Sequence, residues 1–445
     1  MKILPSDFIQ RIESQFPNES SVFLNAISKE VVHSLHLNPK HSLPLEFLGE
    51  SVPWWENGYY LKHRPSFIAD PLFHAGGYYP QESSSMFVGA IVKELVSNRT
   101  NIRCLDMCAA PGGKSILLSE IIGENGFLVA NEVNKLRNSV LRENLAKWGR
   151  DNWMVTSNSA SDYSGVKNFF DVVLIDAPCS GEGMFRKDDN AIREWSFQNV
   201  LQCSERQKDI LRDVKDCVAD GGYLVYSTCT YAPEENEGAI DWLLENGFEE
   251  MTLDIPSFEG IRLEVYNGVS TFRFYPHLTK GEGLFVCVLR KTSSAGSRGK
   301  GKGKKKIKAV RLEEVPNVNS VRSELVIQEE GQFFEVPCKI DEFEYLSESL
   351  YFSMPGTELG EWKKSDFIPG HGGLLAGKFS SYVSLELDAD DALRFLKRED
   401  IKAMTPTQGW VSIFYKGLPL GWIKCIGQRK NNYYPKDWRI RYLES

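Results

Sequence analysis

Residues 102–122 read IRCLDMCAAPGGKSILLSEII, and this stretch decides the fold class. Its apolar start at 102–106 predicts a short strand, AAPGGK at 109–114 predicts a tight loop, and 115–122 has a helical apolar pattern. The two loop glycines let the backbone approach a ligand, and a helix N-terminus offers unpaired N–H groups to an anion. A strand, a glycine-bearing loop and a helix in this order are typical of a ligand-binding α/β sheet.

The same alternation of strands and helices continues along the chain. Strands are predicted at 127–130, 171–175, 223–226 and 285–289, and helices at 134–148 and 200–218. In the helix at 134–148, Leu136, Val140 and Leu145 are expected on the buried face, and the strand at 285–289 is expected to be antiparallel. The pattern predicts an α/β fold with a doubly wound, mostly parallel, Rossmann-like sheet.

Composition divides the rest of the chain. A helical pattern and then turn-rich aromatic sequence precede the sheet, and a run of glycine, serine and lysine follows it. We predict an N-terminal α+β accessory unit at 1–92, the sheet domain at 93–291, a basic flexible linker at 292–308, an intermediate β-rich domain at 309–385 and a β-rich C-terminal domain at 386–445.

Bulk composition excludes several classes of protein. Nine cysteines in 445 residues indicate a reducing compartment rather than a disulfide framework, and their spacing with histidines predicts no metal site. No apolar run reaches the roughly 18 residues that a membrane span needs, and the N-terminus lacks the features of a signal peptide. We therefore expect a cytoplasmic protein without a membrane anchor.

The net charge of −8 is unusual for a nucleic-acid-binding protein, but two segments are locally basic. RGKGKGKKKIK at 298–308 suits either phosphate contact or a solvated linker. QRKNNYYPKDWRIR at 428–441 interleaves aromatic residues with cations, which suits stacking on bases. An aromatic core strand with solvated basic neighbours is the alternative for the second segment.

The loop after the first predicted strand has the features of a cofactor site. Asp106 ends that strand, and Glu132 follows the next one, where it can accept hydrogen bonds from ribose hydroxyls. The loop matches neither the dinucleotide pattern G-x-G-x-x-G nor the P-loop, so a nucleoside without phosphates, such as S-adenosylmethionine, fits better. The predicted cofactor contacts here are Cys108, Ala109, Ala110, Pro111, Gly112, Gly113, Lys114, Glu132 and Arg137.

Two cysteines follow two later strands. DAPCSGEGMFRK at 176–187 contains Asp176 and Cys179, and YSTCTYAPEENE at 226–237 contains Cys229. Both loops open on the sheet edge that carries the cofactor loop, because the strands are parallel. Buried packing is the usual role of a lone cysteine and remains the alternative here, as it is our reading of the other seven.

These three motifs resemble the NOL/NOP/Sun family of RNA 5-methylcytosine methyltransferases. Further matches are HAGGYYPQESSSM at 74–86 and RFYPHLTKGEGLFV at 273–286, so that the resemblance spans approximately 30–291. FYKGLPLGWIK at 414–424, followed by NNYYPKDWR, resembles the PUA-like end of family members that act on 16S ribosomal RNA.

The resemblance implies a covalent mechanism. Cys229 would add to C6 of cytosine and so make C5 nucleophilic, Cys179 would serve the release step, and Asp176 would bond the base near N3 and N4 and contact the cofactor. A free thiol is mostly protonated at neutral pH, so a cation is required, and Lys114 and Lys187 are the candidates. The target nucleotide must be unpaired or extruded.

Two positions depart from the family pattern. The family's adenine-contacting Asp is replaced by Asn158 or Ser159, with Asp162 slightly later, and His36 stands where an Arg is common. The resemblance favours a monomeric enzyme acting on ribosomal RNA of the small subunit. Transfer RNA as the substrate and a non-catalytic ribosome-assembly factor are the alternatives.

Overall fold

The computed structural model describes residues 2–123, 125–292, 309–319, 321–323, 325–405 and 407–441. Apart from Thr292, the predicted linker at 292–308 lies outside these residues. The helices are α1 (Ser6–Gln15), α2 (Ser20–Ile27), α3 (Pro71–His74), α4 (Ser83–Val96), α5 (Gly113–Ile121), α6 (Lys135–Lys147), α7 (Asp189–Glu194), α8 (Phe197–Val214), α9 (Glu237–Glu245), α10 (Ile340–Ser347), α11 (His371–Leu375) and α12 (Ala389–Lys397).

A large mixed sheet forms the centre of the molecule. Its strands are β5 (Arg103–Asp106), β6 (Phe127–Asn131), β7 (Trp153–Thr156), β8 (Phe170–Asp176), β9 (Val218–Thr228), β10 (Phe248–Glu249), β11 (Ile261–Tyr266), β12 (Val269–Phe274), β13 (Leu284–Lys291) and β17 (Phe352–Met354). The order is β11-β12-β13-β9-β8-β5-β6-β7-β17, with β10 beside β13. Strands β9-β8-β5-β6-β7 are parallel, and β13 is antiparallel to β9. The predicted Rossmann-like sheet is confirmed.

Helices cover both faces of this sheet. Side chains of α4, α5 and α6 pack on one face, and those of α8, α9 and α10 pack on the other. Strands buried on both faces must be apolar at nearly every position, which is why the run DVVLI in β8 lacks alternation.

The structure corrects the predicted face of α6. Leu136 is 82% exposed and Val140 is 44% exposed, whereas Asn138, Leu141 and Leu145 are buried. Asn138 takes an inward position because its Nδ2 donates to the carbonyls of Glu132 (3.1 Å) and Thr156 (2.8 Å) at two strand ends. A polar side chain can therefore occupy the buried face.

The N-terminal unit is α+β, as predicted. Its sheet has the order β2-β3-β1-β4, formed by β1 (Ser34–Leu37), β2 (Leu48–Ser51), β3 (Gly58–Leu61) and β4 (Tyr78–Pro80). Helices α1 and α2 pack elsewhere: Phe8 and Phe23 join a cluster with Phe185, Trp195 and Tyr231, which lie in or near the two cysteine loops. Helices α1 and α2 of the N-terminal unit therefore pack against the two cysteine loops.

Two further sheets follow. The intermediate sheet contains β14 (Ala309–Val310), β15 (Val326–Glu329), β16 (Gln332–Glu335), β18 (Thr357–Lys363) and β19 (Asp366–Pro369). The C-terminal sheet contains β20 (Val383–Glu386), β21 (Gly409–Tyr415), β22 (Leu418–Ile426) and β23 (Arg429–Asn432). Strand β20 spans the predicted boundary between 385 and 386 and pairs with β21 of the C-terminal sheet.

Within the described parts of the chain, no helix is long and apolar enough to cross a membrane. The same residues contain no group of three or more His, Cys, Asp or Glu side chains arranged to hold a metal ion.

Candidate active site

The candidate site lies where the strand order reverses, between β5 and β8. In open α/β sheets, ligands bind beyond the carboxyl ends of the strands at this point. Asp106 ends β5 and Asp176 ends β8. Lys114 Nζ donates to Asp176 Oδ2 at 2.8 Å, and Ser227 Oγ donates to Asp176 Oδ1 at 2.7 Å. The cofactor loop and both cysteine loops are therefore joined through one carboxylate.

The two predicted cysteines face each other. Cys179 Sγ and Cys229 Sγ are 3.0 Å apart, and the Cys229 amide donates to Cys179 Sγ at 3.3 Å. The hydrogen bond to Cys229 and burial raise the pKa of Cys179 well above its usual value. The raised pKa favours the thiol form of Cys179, and the contact allows either sulfur to be the donor.

Lys114 is a buried cation whose pKa is affected by the charge of Cys229. Burial lowers the pKa of Lys114, but the charge and hydrogen bond of Asp176, with a further contribution from the charge of Cys229, raise it more. Lys114 is consequently protonated, so a buried cation interacts electrostatically with Cys229. Lys187, the other candidate, is exposed and lines a cavity that opens beside the cofactor loop and Asp176.

A buried carboxylate holds the backbone of the Cys179 loop. Glu235 accepts hydrogen bonds from Ser180 Oγ (2.5 Å), Ser180 N (3.0 Å) and Gln207 Nε2 (2.8 Å). Gln207 Nε2 also donates to the carbonyl of Pro178. Burial raises the pKa of Glu235, and these hydrogen bonds oppose the rise. The position of Cys179 is thereby fixed on both sides of the loop.

The cofactor loop is tied to the end of β6. Arg137 donates to the carbonyl of Ala110 at 2.6 Å and forms an ion pair with Glu132 at 3.3 Å. Gly112 has φ +118°, which favours glycine, and a Cβ there would lie 3.2 Å from Leu141. The predicted residues at 108–114, Glu132 and Arg137 are thus brought together.

The two candidates for the adenine contact have other partners. Asn158 Nδ2 donates to the Tyr351 carbonyl (2.9 Å), and the Tyr351 amide donates to Asn158 Oδ1 (3.0 Å). Ser159 Oγ bonds Asp162 at 2.7 Å within its own loop. Sequence reasoning missed Tyr351, because no local pattern connects the segment before β17 with the end of β7.

A cavity of about 180 Å³ opens between the cofactor loop, Asp176 and the N-terminal unit. Its wall from the N-terminal unit was not predicted and consists of Tyr79, Pro80, Gln81, Glu82 and Ser85. The family resemblance at 74–86 covers these residues but assigns no role to any of them.

The other positions singled out in the sequence have structural partners. His36 is buried and lies 3.3 Å from Glu120. In the C-terminal basic segment, Tyr434 is fully buried and Trp438 packs on His371, while Arg439 and Arg441 are exposed. The segment therefore combines an aromatic core with exposed cations.

Comparisons with known proteins agree along the chain. Three family models match: 16S rRNA methyltransferase RsmB/F at 94–290, the N-terminal domain of 16S rRNA methyltransferase RsmF at 4–83, and the methyltransferase RsmF PUA domain at 382–440. Two relatives are named ribosomal RNA small subunit methyltransferase F. The one from Shewanella piezotolerans is 28% identical over 97% of this chain and 96% of its own length. The one from Aeromonas hydrophila is 29% identical over 98% and 97%.

Solved structures match the sheet domain and its surroundings. A methyltransferase homolog from Pyrococcus horikoshii is 26% identical, with a TM-score of 0.54 over 64% of this chain and 94% of its own. NSun6 from Pyrococcus horikoshii, solved with SFG, has the same fold at 20% identity, with a TM-score of 0.53 over 65% and 99%.

The fold and the arrangement of loops define a Rossmann-like methyltransferase with a PUA-like C-terminal domain. Together the three models cover most of the chain, and the long segment that they leave unmatched is 291–381. The sheet domain matches the model of the RsmB/F family of 16S rRNA methyltransferases, and the whole chain is similar to relatives named ribosomal RNA small subunit methyltransferase F, as the NOL/NOP/Sun motifs indicated.

Proposed function

We propose that this protein transfers a methyl group from S-adenosylmethionine to carbon 5 of a cytosine in 16S ribosomal RNA, with Cys229 as the nucleophile. The observation that carries the mechanism is the pair of sulfurs 3.0 Å apart, in which burial and the hydrogen bond to Cys229 raise the pKa of Cys179. The substrate is supported by the names of the relatives and by the PUA domain match. A protein with this substrate acts in the cytoplasm, and we expect a monomer.

Different residues of the chain take part in successive covalent steps. The Cys229 thiolate, favoured by Lys114, forms an S–C6 bond, and the C5–C6 electron pair becomes available at C5. Asp176 hydrogen-bonds the base near N3 and N4. After the methyl group has bonded to C5, the C5 proton leaves to a base, its electron pair re-forms C5=C6, and the S–C6 bond breaks. Cys179, in contact with Cys229, serves this release step.

The cofactor residues fit S-adenosylmethionine, which supplies an electrophilic methyl group when bound. Asp106 Oδ1 is buried without a hydrogen-bond partner among the described residues, and an ammonium group would provide one. Glu132 suits the ribose hydroxyls, whereas the side chains of Asn158 and Ser159, the candidates for the adenine contact, are bonded to Tyr351 and Asp162. The relative solved with SFG, an S-adenosylmethionine analogue, supports this choice.

The test separates the two thiols. Purified wild-type protein, Cys229→Ala and Cys179→Ala are incubated with undermethylated small subunits or their RNA and radiolabelled S-adenosylmethionine. Cys229→Ala should abolish transfer and form no adduct, because it lacks the attacking sulfur. Cys179→Ala should accumulate a protein–RNA adduct that survives denaturing electrophoresis.

The outcomes decide both mechanism and substrate. Adduct formation by Cys229→Ala instead of Cys179→Ala would reverse the two roles. Mapping of 5-methylcytosine in cells lacking the gene identifies the substrate. Loss of a transfer RNA signal with unchanged 16S RNA would reject our substrate.

A further inference from the structure

One polar side chain at the candidate active site has no partner. Gln81 is 5% exposed and lines the cavity with Asp106, Lys114 and Asp176, but neither its Nε2 nor its Oε1 has a hydrogen-bond partner among the described residues. A Cβ built on Gly113 would lie 3.3 Å from Gln81 Nε2, so the carboxamide lies directly against the cofactor loop.

The residues around Gln81 are firmly bonded. Glu82 accepts hydrogen bonds from the amides of Ser84 (3.0 Å), Ser85 (2.9 Å) and Glu282 (2.9 Å). Ser34 Oγ donates to the carbonyl of Gln81 itself at 2.6 Å. The backbone is therefore held in place while the carboxamide is left unsatisfied. Buried unpaired donors and acceptors destabilise a fold, and proteins retain them mainly where a ligand supplies the partner.

We propose that Gln81 binds the target nucleotide, with its amide nitrogen donating to cytosine O2 and its amide oxygen accepting from the ribose 2′-hydroxyl. This inference rests on the proposed function. In that function Asp176 takes the N3 and N4 edge of the base, so O2 and the adjacent 2′-hydroxyl are the polar groups still without partners. A carboxamide offers one donor and one acceptor group and carries no charge, which matches this neutral pair.

The chemistry of the cavity favours the nucleotide over the cofactor as the partner of Gln81. The methionine end of S-adenosylmethionine carries an ammonium and a carboxylate group, and Asp106 and the helix N-terminus of α5 supply charged and dipolar partners for them. The N-terminal unit, which contributes Gln81, thus forms the wall of the cavity that contacts RNA. A contact to the 2′-hydroxyl would also distinguish RNA from DNA.

The first experiment compares Gln81→Met, which has nearly the same shape, with Gln202→Met on the exposed face of α8. We expect Gln81→Met to lower kcat/KM for RNA about 10- to 100-fold, because the groups of the nucleotide lose their partners. The Kd for S-adenosylmethionine should be unchanged, and Tm should be unchanged or higher, since a buried unsatisfied group is removed. Gln202→Met should match the wild-type protein in all three measurements.

The second experiment replaces the target cytidine by 2′-deoxycytidine in an otherwise identical RNA. The wild-type protein should lose kcat/KM on this substrate, whereas Gln81→Met should show little additional loss. An equal loss in both proteins, or insensitivity of the wild-type protein, would overturn the assignment, as would a lower Tm or weaker cofactor binding in Gln81→Met. A wild-type protein inactive on all RNA would instead reject the proposed function itself.

Discussion

Asp106 and Asp176 end neighbouring strands of the sheet, but their carboxylates have different surroundings. Asp176 accepts from Lys114 and Ser227, whereas Asp106 is completely buried and accepts from Ser115 Oγ at 2.6 Å. Burial raises the pKa of Asp106 to about 7, against the effect of the Ser115 hydrogen bond. One carboxyl group therefore gains a proton close to neutral pH, at the place where a cofactor cation would favour its charged form.

Replacement of Asp106 by asparagine should flatten part of the pH dependence of stability. An unfolded Asp ionises near pH 4, so between about pH 4 and 7 the folded protein binds a proton that the unfolded chain has released. The stability of the wild-type protein consequently falls as pH rises through this window, by at most about 4 kcal/mol for a shift of about three units. Asp106→Asn lacks this decrease.

The measurement is urea unfolding of the cofactor-free protein at pH 5, 6, 7 and 8. The difference in stability between Asp106→Asn and the wild-type protein should grow in favour of the variant as pH rises. Asp254→Asn, at an exposed position, serves as the control and should follow the wild-type curve. Parallel curves for Asp106→Asn and the wild-type protein would show that Asp106 ionises normally.

Individual elements differ in how well the sequence predicts them. The strands that end at or just before Asp106, Asp176 and Cys229 were predictable from short apolar runs, most clearly DVVLI in β8, because both faces of the sheet are covered. Their convergence was predictable as well, since carboxyl ends of parallel strands meet at one edge. Strand β9 nevertheless starts at Val218, five residues before the predicted start at 223, and runs through Gly221 and Gly222, where the register with β8 shifts.

Contacts between distant segments could not be read from local pattern. The buried face of α6 was predicted incorrectly because Asn138 is buried through hydrogen bonds to carbonyls on other elements. Strand β17 joins the edge of the large sheet beside β7, approximately 200 residues earlier in the chain, and Asn158 bonds Tyr351 on both sides of its carboxamide. A strand added to an edge in this way depends on tertiary packing that periodicity does not encode.

Asn158→Ala should loosen this edge. The Tyr351 amide loses its acceptor, so its protection against hydrogen exchange should fall, and stability should drop by about 1–3 kcal/mol because two part-buried hydrogen bonds are lost. Hydrogen exchange of residues 350–354 and urea unfolding provide the measurements. Ser159→Ala is the matched control, because Ser159 bonds only within its own loop. Unchanged protection at Tyr351 would mean that β17 is held without Asn158.

Several units of the protein contribute to the candidate active site. Residues of the N-terminal unit form a wall of the cavity, helices α1 and α2 support the cysteine loops, and β17 extends the sheet at its far edge. Arg11 illustrates the support, since its guanidinium bonds Glu234 and lies 3.6 Å from Glu182. A site assembled from separate units requires fixed contacts between them.

Lys378 makes the clearest of these contacts between units. It is 1% exposed and forms ion pairs with Asp151 (2.6 Å), which follows α6, and with Glu335 (2.7 Å), which ends β16. Burial raises the pKa of Asp151, but the charge of Lys378 lowers it more, so the carboxylate is stabilised in its charged form. Lys378→Met leaves two carboxylates without their cation, and we expect a loss of about 3–5 kcal/mol at pH 7.

The loss should depend on pH in a defined direction. In the wild-type protein, the stability that Asp151 contributes is present above its unfolded pKa near 4 and disappears as pH falls below it. In Lys378→Met the unpaired carboxylates can take up protons, so the difference from the wild-type protein should shrink from pH 7 to pH 4.5. Urea unfolding at both pH values tests this, with Lys364→Met at an exposed turn as the control. The double variant Lys378→Met with Glu335→Gln should recover part of the stability at pH 7, because one of the two buried charges is removed. If the double variant is as unstable as Lys378→Met at both pH values, the packing of the lysine stem rather than its charge joins the units.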